Sequence, residues 1–311
     1  MKKRNLILGL GAMLLLSASA LTGCSTAQGS TDNAATQAQT SHAASESETG
    51  AAANRLEDIL NRGYIEVATE PAFAPNEFID PTKTGDDQYV GSDIELAKYI
   101  ANELGVELRL KPMDFTSVLG SVTSGKYDLA ISALAYTPAR AETMNLSDGY
   151  YFGSEDPATS YGLLIRKADE DKIKTVADLA DKIIVTQNGS IQEQLLQEQV
   201  PKYKKYNRVS SMTDGFMMVE AGRADAMVVH IKMAQLYVDS NPDAGLMVVP
   251  NFYFPVDPST QGTRIGIPKG ETELTERINE IIAEVVDQDL YNQWYDEYTE
   301  YAKKLGITTN E

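Results

Sequence analysis

From residue 64 to residue 304 the chain keeps changing the period of its apolar residues. Short runs rich in Val, Ile, Tyr and Thr give way to stretches with apolar residues three and four apart, and then return. The switching predicts strands at 64–69, 106–111, 128–132, 161–166, 182–186, 224–229 and 263–267. Helices are predicted at 93–104, 117–123, 190–198, 213–221 and 231–238, with mostly helix from 271 to 304. Strands that alternate with helices select βα units and mainly parallel sheets covered by helices. The span from 54 to about 308 suits two lobes or one large domain, and no internal repeat divides it.

Two helix starts are well signed. Ser92-Asp93-Ile94-Glu95 sets cap and acid residues ahead of an apolar stripe at Ile94, Ala97, Ile100 and Leu104. Asn188-Gly189-Ser190-Ile191-Gln192-Glu193 follows a strand directly and opens another helix. Such a turn leaves backbone N–H groups without intrahelical partners and suits an anion by geometry and dipole. Many similar turns bind nothing.

The first residues read differently. Lys2, Lys3 and Arg4 precede an apolar run over 6–20, which ends in Leu21-Thr22-Gly23-Cys24. A basic start, a short apolar core and small residues before a break make a secretory signal. The run is shorter than the roughly 20 residues of a membrane-spanning helix. The ending resembles a bacterial lipobox, so 1–23 is expected to be removed and Cys24 to carry lipid. Residues 25–53 hold no Val, Ile, Leu, Met, Phe, Tyr or Trp. They cannot bury enough apolar area to offset their ordering entropy and read as a disordered tether. Cys24 is the only cysteine, so no intramolecular disulfide is available. With only His42 and His230 besides, a protein-made transition-metal site and a bound cofactor are not expected. The formal charge of −18 argues against nucleic acid and against electrostatic binding to anionic lipid.

Two motifs mislead, and a hydrolase elbow is missing. Gly120 to Tyr127 matches most of a phosphate-binding loop, but Tyr127 stands where Ser or Thr is needed, and a helix precedes the segment instead of following it. It reads as a helix end with Gly125 left-handed. No GxSxG elbow is present, and His230 has no marked serine partner. Tyr291, Trp294, Tyr295, Tyr298 and Tyr301, three and four apart, read as a packed helix face.

The order of the remaining motifs resembles the family 3 extracellular solute-binding proteins, which serve polar amino-acid ABC importers. Gly63 to Pro75 looks like the family's first strand and aromatic-bearing loop, and Val90-Gly91-Ser92-Asp93-Ile94-Glu95-Leu96-Ala97 like its first helix motif. Gly125-Lys126-Tyr127-Asp128, Ala135-Tyr136-Thr137-Pro138-Ala139-Arg140, Leu146 to Tyr151 and Gly222-Arg223-Ala224-Asp225-Ala226 follow in family order.

The resemblance implies a type II periplasmic-binding-protein fold of two α/β lobes. Residues 54–158 and 262–311 would form the first lobe and 161–260 the second, joined by two crossing hinge strands. It implies an extracytoplasmic monomer, anchored through Cys24 to a bacterial membrane, that hands a small ligand, an amino acid first of all, to a permease and ATPase. Arg140 matches the arginine that clamps the ligand carboxylate, met from the other lobe by backbone N–H groups at Gly189, Ser190 and Ile191. Phe73 and Phe115 would flank the ligand side chain. Ser132 and the backbone near Leu134 and Ala135 would supply polar contacts, and Glu70 would face a ligand cation. One position departs: His230 stands where the family commonly places the acid that accepts the α-ammonium. Neutral imidazole supplies no counter-charge. The competing classes are a cyclohexadienyl dehydratase-like enzyme on the same fold and a ligand-sensing partner of a membrane receptor.

Overall fold

The computed structural model describes residues 54–152, 160–257 and 261–307. The expected signal segment, Cys24 and the tether lie outside them, as do residues 153–159 of the first expected hinge strand, near 151–161; the second, near 261–266, lies within them. The first lobe runs α1 (Arg55–Arg62), β1 (Tyr64–Thr69), β2 (Ala72–Phe73), β3 (Glu77–Ile79), β4 (Tyr89–Val90), α2 (Ser92–Leu104), β5 (Glu107–Pro112), α3 (Phe115–Thr123), β6 (Leu129–Ala135), α4 (Pro138–Thr143) and β7 (Met144–Leu146). The second runs β8 (Tyr161–Arg166), β9 (Ile183–Gln187), α5 (Ile191–Gln199), β10 (Lys205–Val209), α6 (Met212–Glu220), β11 (Ala226–His230), α7 (Ile231–Ser240) and β12 (Leu246–Val248). The chain then returns to the first lobe as β13 (Thr263–Pro268), α8 (Thr272–Asp287) and α9 (Leu290–Leu305).

The main sheets have orders β5-β1-β6-β13-β7 and β10-β9-β11-β8-β12. They are mixed, where the alternation predicted mainly parallel pairing. In the first, β1 runs parallel to β5 and β6, while β13 runs antiparallel to β6 and β7. In the second, β9 runs parallel to β10 and β11, while β8 runs antiparallel to β11 and β12. The antiparallel members are β8 and β13, the first strand after each passage between lobes. Beside these sheets lies a small antiparallel one, β2-β3-β4.

The period-2 pattern decides what each face buries. On β8, Leu163 and Ile165 enter one apolar cluster with Leu195, Leu196 and Val228. Leu164 enters the opposite cluster with Val185, Met227, Phe216 and Val219. In the first lobe, Ile65, Val67, Leu129 and Ile131 meet Leu96 and Ile100 of α2 and Ile278, Ile281 and Ile282 of α8.

Local signals act as read. Gly125 takes φ +69°, and the Gly125 and Lys126 N–H groups bond back to Val122 and Ser121. The phosphate-loop lookalike is thus the end of α3. The aromatic face of α9 packs on its own lobe, where Tyr291 donates to Asp93 and Tyr298 to Glu95. The two connections between lobes run side by side, with an antiparallel bridge between Tyr151 and Thr263. No helix among the described residues is long and apolar enough to cross a membrane.

Candidate functional site

The carboxyl ends of β1, β6, β9 and β11 converge on one cleft, as open α/β sheets arrange their ligand crevices. Glu70 follows β1, Ser132 and Ala135 lie late in β6, and Gln187 and His230 end β9 and β11. The cavity is about 140 Å³. At about 10–15 Å³ per water it admits roughly ten water-sized groups, the scale of an amino acid.

Arg140 is the cation of this cavity that sequence motifs point to. Thr137 caps α4, its Oγ1 accepting the Arg140 N–H at 3.1 Å, and Pro138 sits in the first turn. The guanidinium donates to the Ala135 carbonyl at 2.6 Å and across the cleft to the Gly189 carbonyl at 3.0 Å. It lies over the Phe115 ring, 5.4 Å from its centroid. Only 7% of Arg140 is exposed, and it has no ion-pair partner among the described residues. Burial pulls its pKa down to about 10, which leaves it charged at neutral pH. A buried, unpaired guanidinium is a seat for an anion.

The acids face it from the first lobe. Glu70 is 4% exposed, and the Gln187 amide donates to both its oxygens at 2.8 Å. Burial pushes Glu70 up to about 8, against the pull of that hydrogen bond. The Ser132 hydroxyl takes the Glu70 N–H at 3.0 Å and donates to Glu77 Oε1 at 2.9 Å. Glu77 Oε2 is buried without a partner. Burial first, then the neighbouring Asp93, holds Glu77 well above the carboxylate range. Asp93 collects the Tyr291 and Tyr150 hydroxyls and the Ala133 N–H at 2.6, 2.9 and 2.6 Å. Ala133 adopts φ +47° to deliver that N–H, a strained angle for a residue with a Cβ.

On the second lobe, His230 lines the cavity edge-on to Tyr161, with ring centroids 5.3 Å apart. Burial holds its imidazole neutral, with the pKa pulled down to about 4. Ser190 caps α5, accepting the Glu193 N–H at 3.2 Å and donating to the Gln187 carbonyl at 2.7 Å. Ile191 begins α5 and lines the cavity, so its N–H has no intrahelical acceptor.

Of the expected residues, Arg140, Phe73, Phe115, Glu70, Ser132, Ala135, Ser190, Ile191 and His230 come together around the cavity. Two do not serve as expected. The Gly189 N–H is taken by Glu193 Oε2 at 2.7 Å, because the helix's own first turn supplies a carboxylate to its N-terminus. Gly189 contributes its carbonyl, to Arg140. Leu134, expected to contribute through its backbone, has its side chain fully buried in the apolar cluster beneath β6 with Phe115 and Val118 and is not among the residues that line the cavity.

Glu77, Gln187, Tyr161 and Lys232 also line the cavity and were not anticipated. Gln187 was legible as the last residue of a strand before a glycine turn. Glu77 gave only a faint signal, a lone acid between Pro75 and Phe78.

The description "Bacterial extracellular solute-binding proteins, family 3" fits residues 65–301. The arginine-binding extracellular protein ArtP of Bacillus subtilis is 30% identical over 237 residues, 74% of this chain and 85% of ArtP. The structure of the amino acid ABC transporter substrate-binding protein AbpA from Streptococcus pneumoniae, bound to L-arginine, aligns with a TM-score of 0.69 at 32% identity, covering 81% of this chain and 99% of that one. An ancestral amino-acid-binding protein, described as a precursor of cyclohexadienyl dehydratase, aligns with a TM-score of 0.64 at 28% identity over 78% of this chain and 99% of its own.

Proposed function

The chain belongs to the bacterial extracellular solute-binding proteins of family 3, and from that premise we propose that it captures a small carboxylate that also bears a cation, of the arginine type, for an ABC importer. Lipid on Cys24 would hold it to the outer face of a bacterial membrane. The observation that carries the ligand reading is a buried guanidinium and a buried carboxyl in one cavity: Arg140 without an anionic partner among the described residues, and Glu70 with the Gln187 amide as its side-chain donor, a carboxyl that a bound cation would draw into its ionised form. A ligand carboxylate answers the first, and a guanidinium or ammonium answers the second. ArtP and AbpA, with arginine in their descriptions, support this choice.

Calorimetric titration with L-arginine, L-lysine, L-glutamine and their close analogues tests it. A cationic carboxylate is expected to bind, and Arg140→Ala to weaken it by roughly a hundredfold or more, the scale of leaving a buried charge unpaired. Preference for an uncharged or acidic ligand would count against the role given to Glu70.

Two features favour a second reading, a dehydratase-like enzyme. Glu70 holds a proton at neutral pH, as a general acid must, and Lys232 brings a second cation to the cavity wall. Incubation with prephenate and arogenate separates the readings, since a binding protein leaves both unchanged.

A further inference from the structure

The two walls of the cavity differ in their charged groups. The first lobe brings Glu70, Glu77 and Arg140 to it. Among the described residues, the second lobe brings no carboxylate and one cation, Lys232. His230 stands on this second wall. Its Nδ1 is buried without a hydrogen-bond partner, and Lys232 is the one charged group that presses on the imidazole. Tyr161, against which His230 sits, feels the charge of Arg140. His230 therefore belongs to the carboxylate end of the cavity, and what faces it is the ligand atom next to the carboxylate.

An ammonium at that atom would be taken from water and set beside a neutral imidazole and a lysine, with the carboxylates on the opposite wall. Burying an uncompensated charge is among the most unfavourable arrangements available to a site. A hydroxyl, an acylated nitrogen or a plain methylene meets no such penalty, and the first two satisfy the imidazole nitrogen.

We propose that the ligand is a carboxylate with a distant guanidinium or amine and an uncharged group at the α position, and that His230 selects for it. This rests on the cationic-carboxylate reading above and adds what the α position must be. It makes His230 a specificity-determining residue.

The test compares three probes by calorimetry on the wild-type protein and on His230→Asp: L-arginine, Nα-acetyl-L-arginine and 5-guanidinopentanoate, which is arginine without its amino group. Wild type is expected to bind one of the two compounds lacking an ammonium about tenfold or more tighter than L-arginine, and His230→Asp to reverse the order by supplying the counter-charge. The wild-type ranking stands alone if the variant does not fold. L-arginine binding as tightly as the analogues, with His230→Asp leaving the ratio unmoved, overturns the inference and leaves the cationic-carboxylate reading intact. Binding of none of the three by either protein overturns both.

Discussion

Glu70 is the residue whose chemistry pH exposes most directly. Its folded pKa of about 8 lies above the ordinary 4.5, because burial disfavours the carboxylate. Between those values the folded chain keeps a proton that the unfolded chain releases, so stability falls as pH rises through the window and levels off above it. The limiting slope for one such group is about 1.4 kcal/mol per pH unit. His230 acts in the opposite sense: with its pKa pulled from 6.5 to about 4, its contribution is present above 6.5 and lost as pH falls through that lower window. The range from 6.5 to 8 is therefore left to the acids, Glu70 and the raised Glu77. Glu70→Gln is expected to lose less stability than wild type between pH 6.5 and 8 in denaturant titrations, with Glu77 leaving a residual slope. Parallel curves for the two proteins would show that Glu70 is already ionised. At this scale the sequence was readable wherever a residue type is tied to one task. Arg140 and Glu70 could be placed because a charge in a cleft motif has few other uses. Glu77 and Gln187 could not, because their roles come from facing Ser132 and Glu70, 55 and 117 residues away in the chain.

At the scale of elements, the central strands and the helices covering them were legible because each has a face to bury. The elements that were missed lack that signal. Helix α1 reads Arg-Leu-Glu-Asp-Ile-Leu-Asn-Arg, with Ile59 its one buried residue. It is held instead by charge. Asp128, 1% exposed at the start of β6, accepts from Arg55 at 3.0 Å, from Arg62 and from the Glu66 N–H at 2.7 Å. Arg55 also reaches the Gly125 carbonyl and Glu271 ahead of α8. One carboxylate thus ties α1 to two strands. Strands β2, β3 and β4 are two or three residues long, below what a period-2 pattern can reveal, and β10 is an edge strand without a fully buried residue. Asp128→Ala leaves two guanidinium groups and a backbone N–H without their common acceptor. It is expected to cost about 3 kcal/mol. Because the ties converge on α1, hydrogen exchange is expected to accelerate first over Arg55–Arg62, before the sheet. Uniform acceleration across the first lobe would mean that Asp128 supports β1 and β6 and not the helix.

At the scale of the molecule, the two lobes meet across the cleft through polar bonds that place their ligand-facing groups against each other. Gln187 donates to Glu70, Arg140 to the Gly189 carbonyl, and Asn188 to Thr116 Oγ1 at 2.9 Å. Phe73 of the first lobe packs against the second lobe's apolar cluster. A cationic carboxylate meets this arrangement by exchange: its carboxylate adds to the donors of Arg140, and its cation displaces the Gln187 amide from Glu70. Closure therefore does not require a ligand to begin, and a ligand strengthens it by replacing a neutral donor with a charged one. The two antiparallel connections at Tyr151 and Thr263 are the natural axis for the movement. Removing the two amide latches in Gln187→Ala/Asn188→Ala is expected to enlarge the radius of gyration of the protein without ligand, measured by small-angle scattering. Ligand is expected to restore the compact value, because Arg140 and Glu70 remain. Affinity should weaken by the fraction of molecules that the double variant leaves open, since a ligand must first repopulate the closed form. An unchanged radius without ligand would mean that the apolar contact of Phe73 and the Arg140 bond to Gly189 hold the lobes by themselves. Phe73→Ala would then be the variant that opens them.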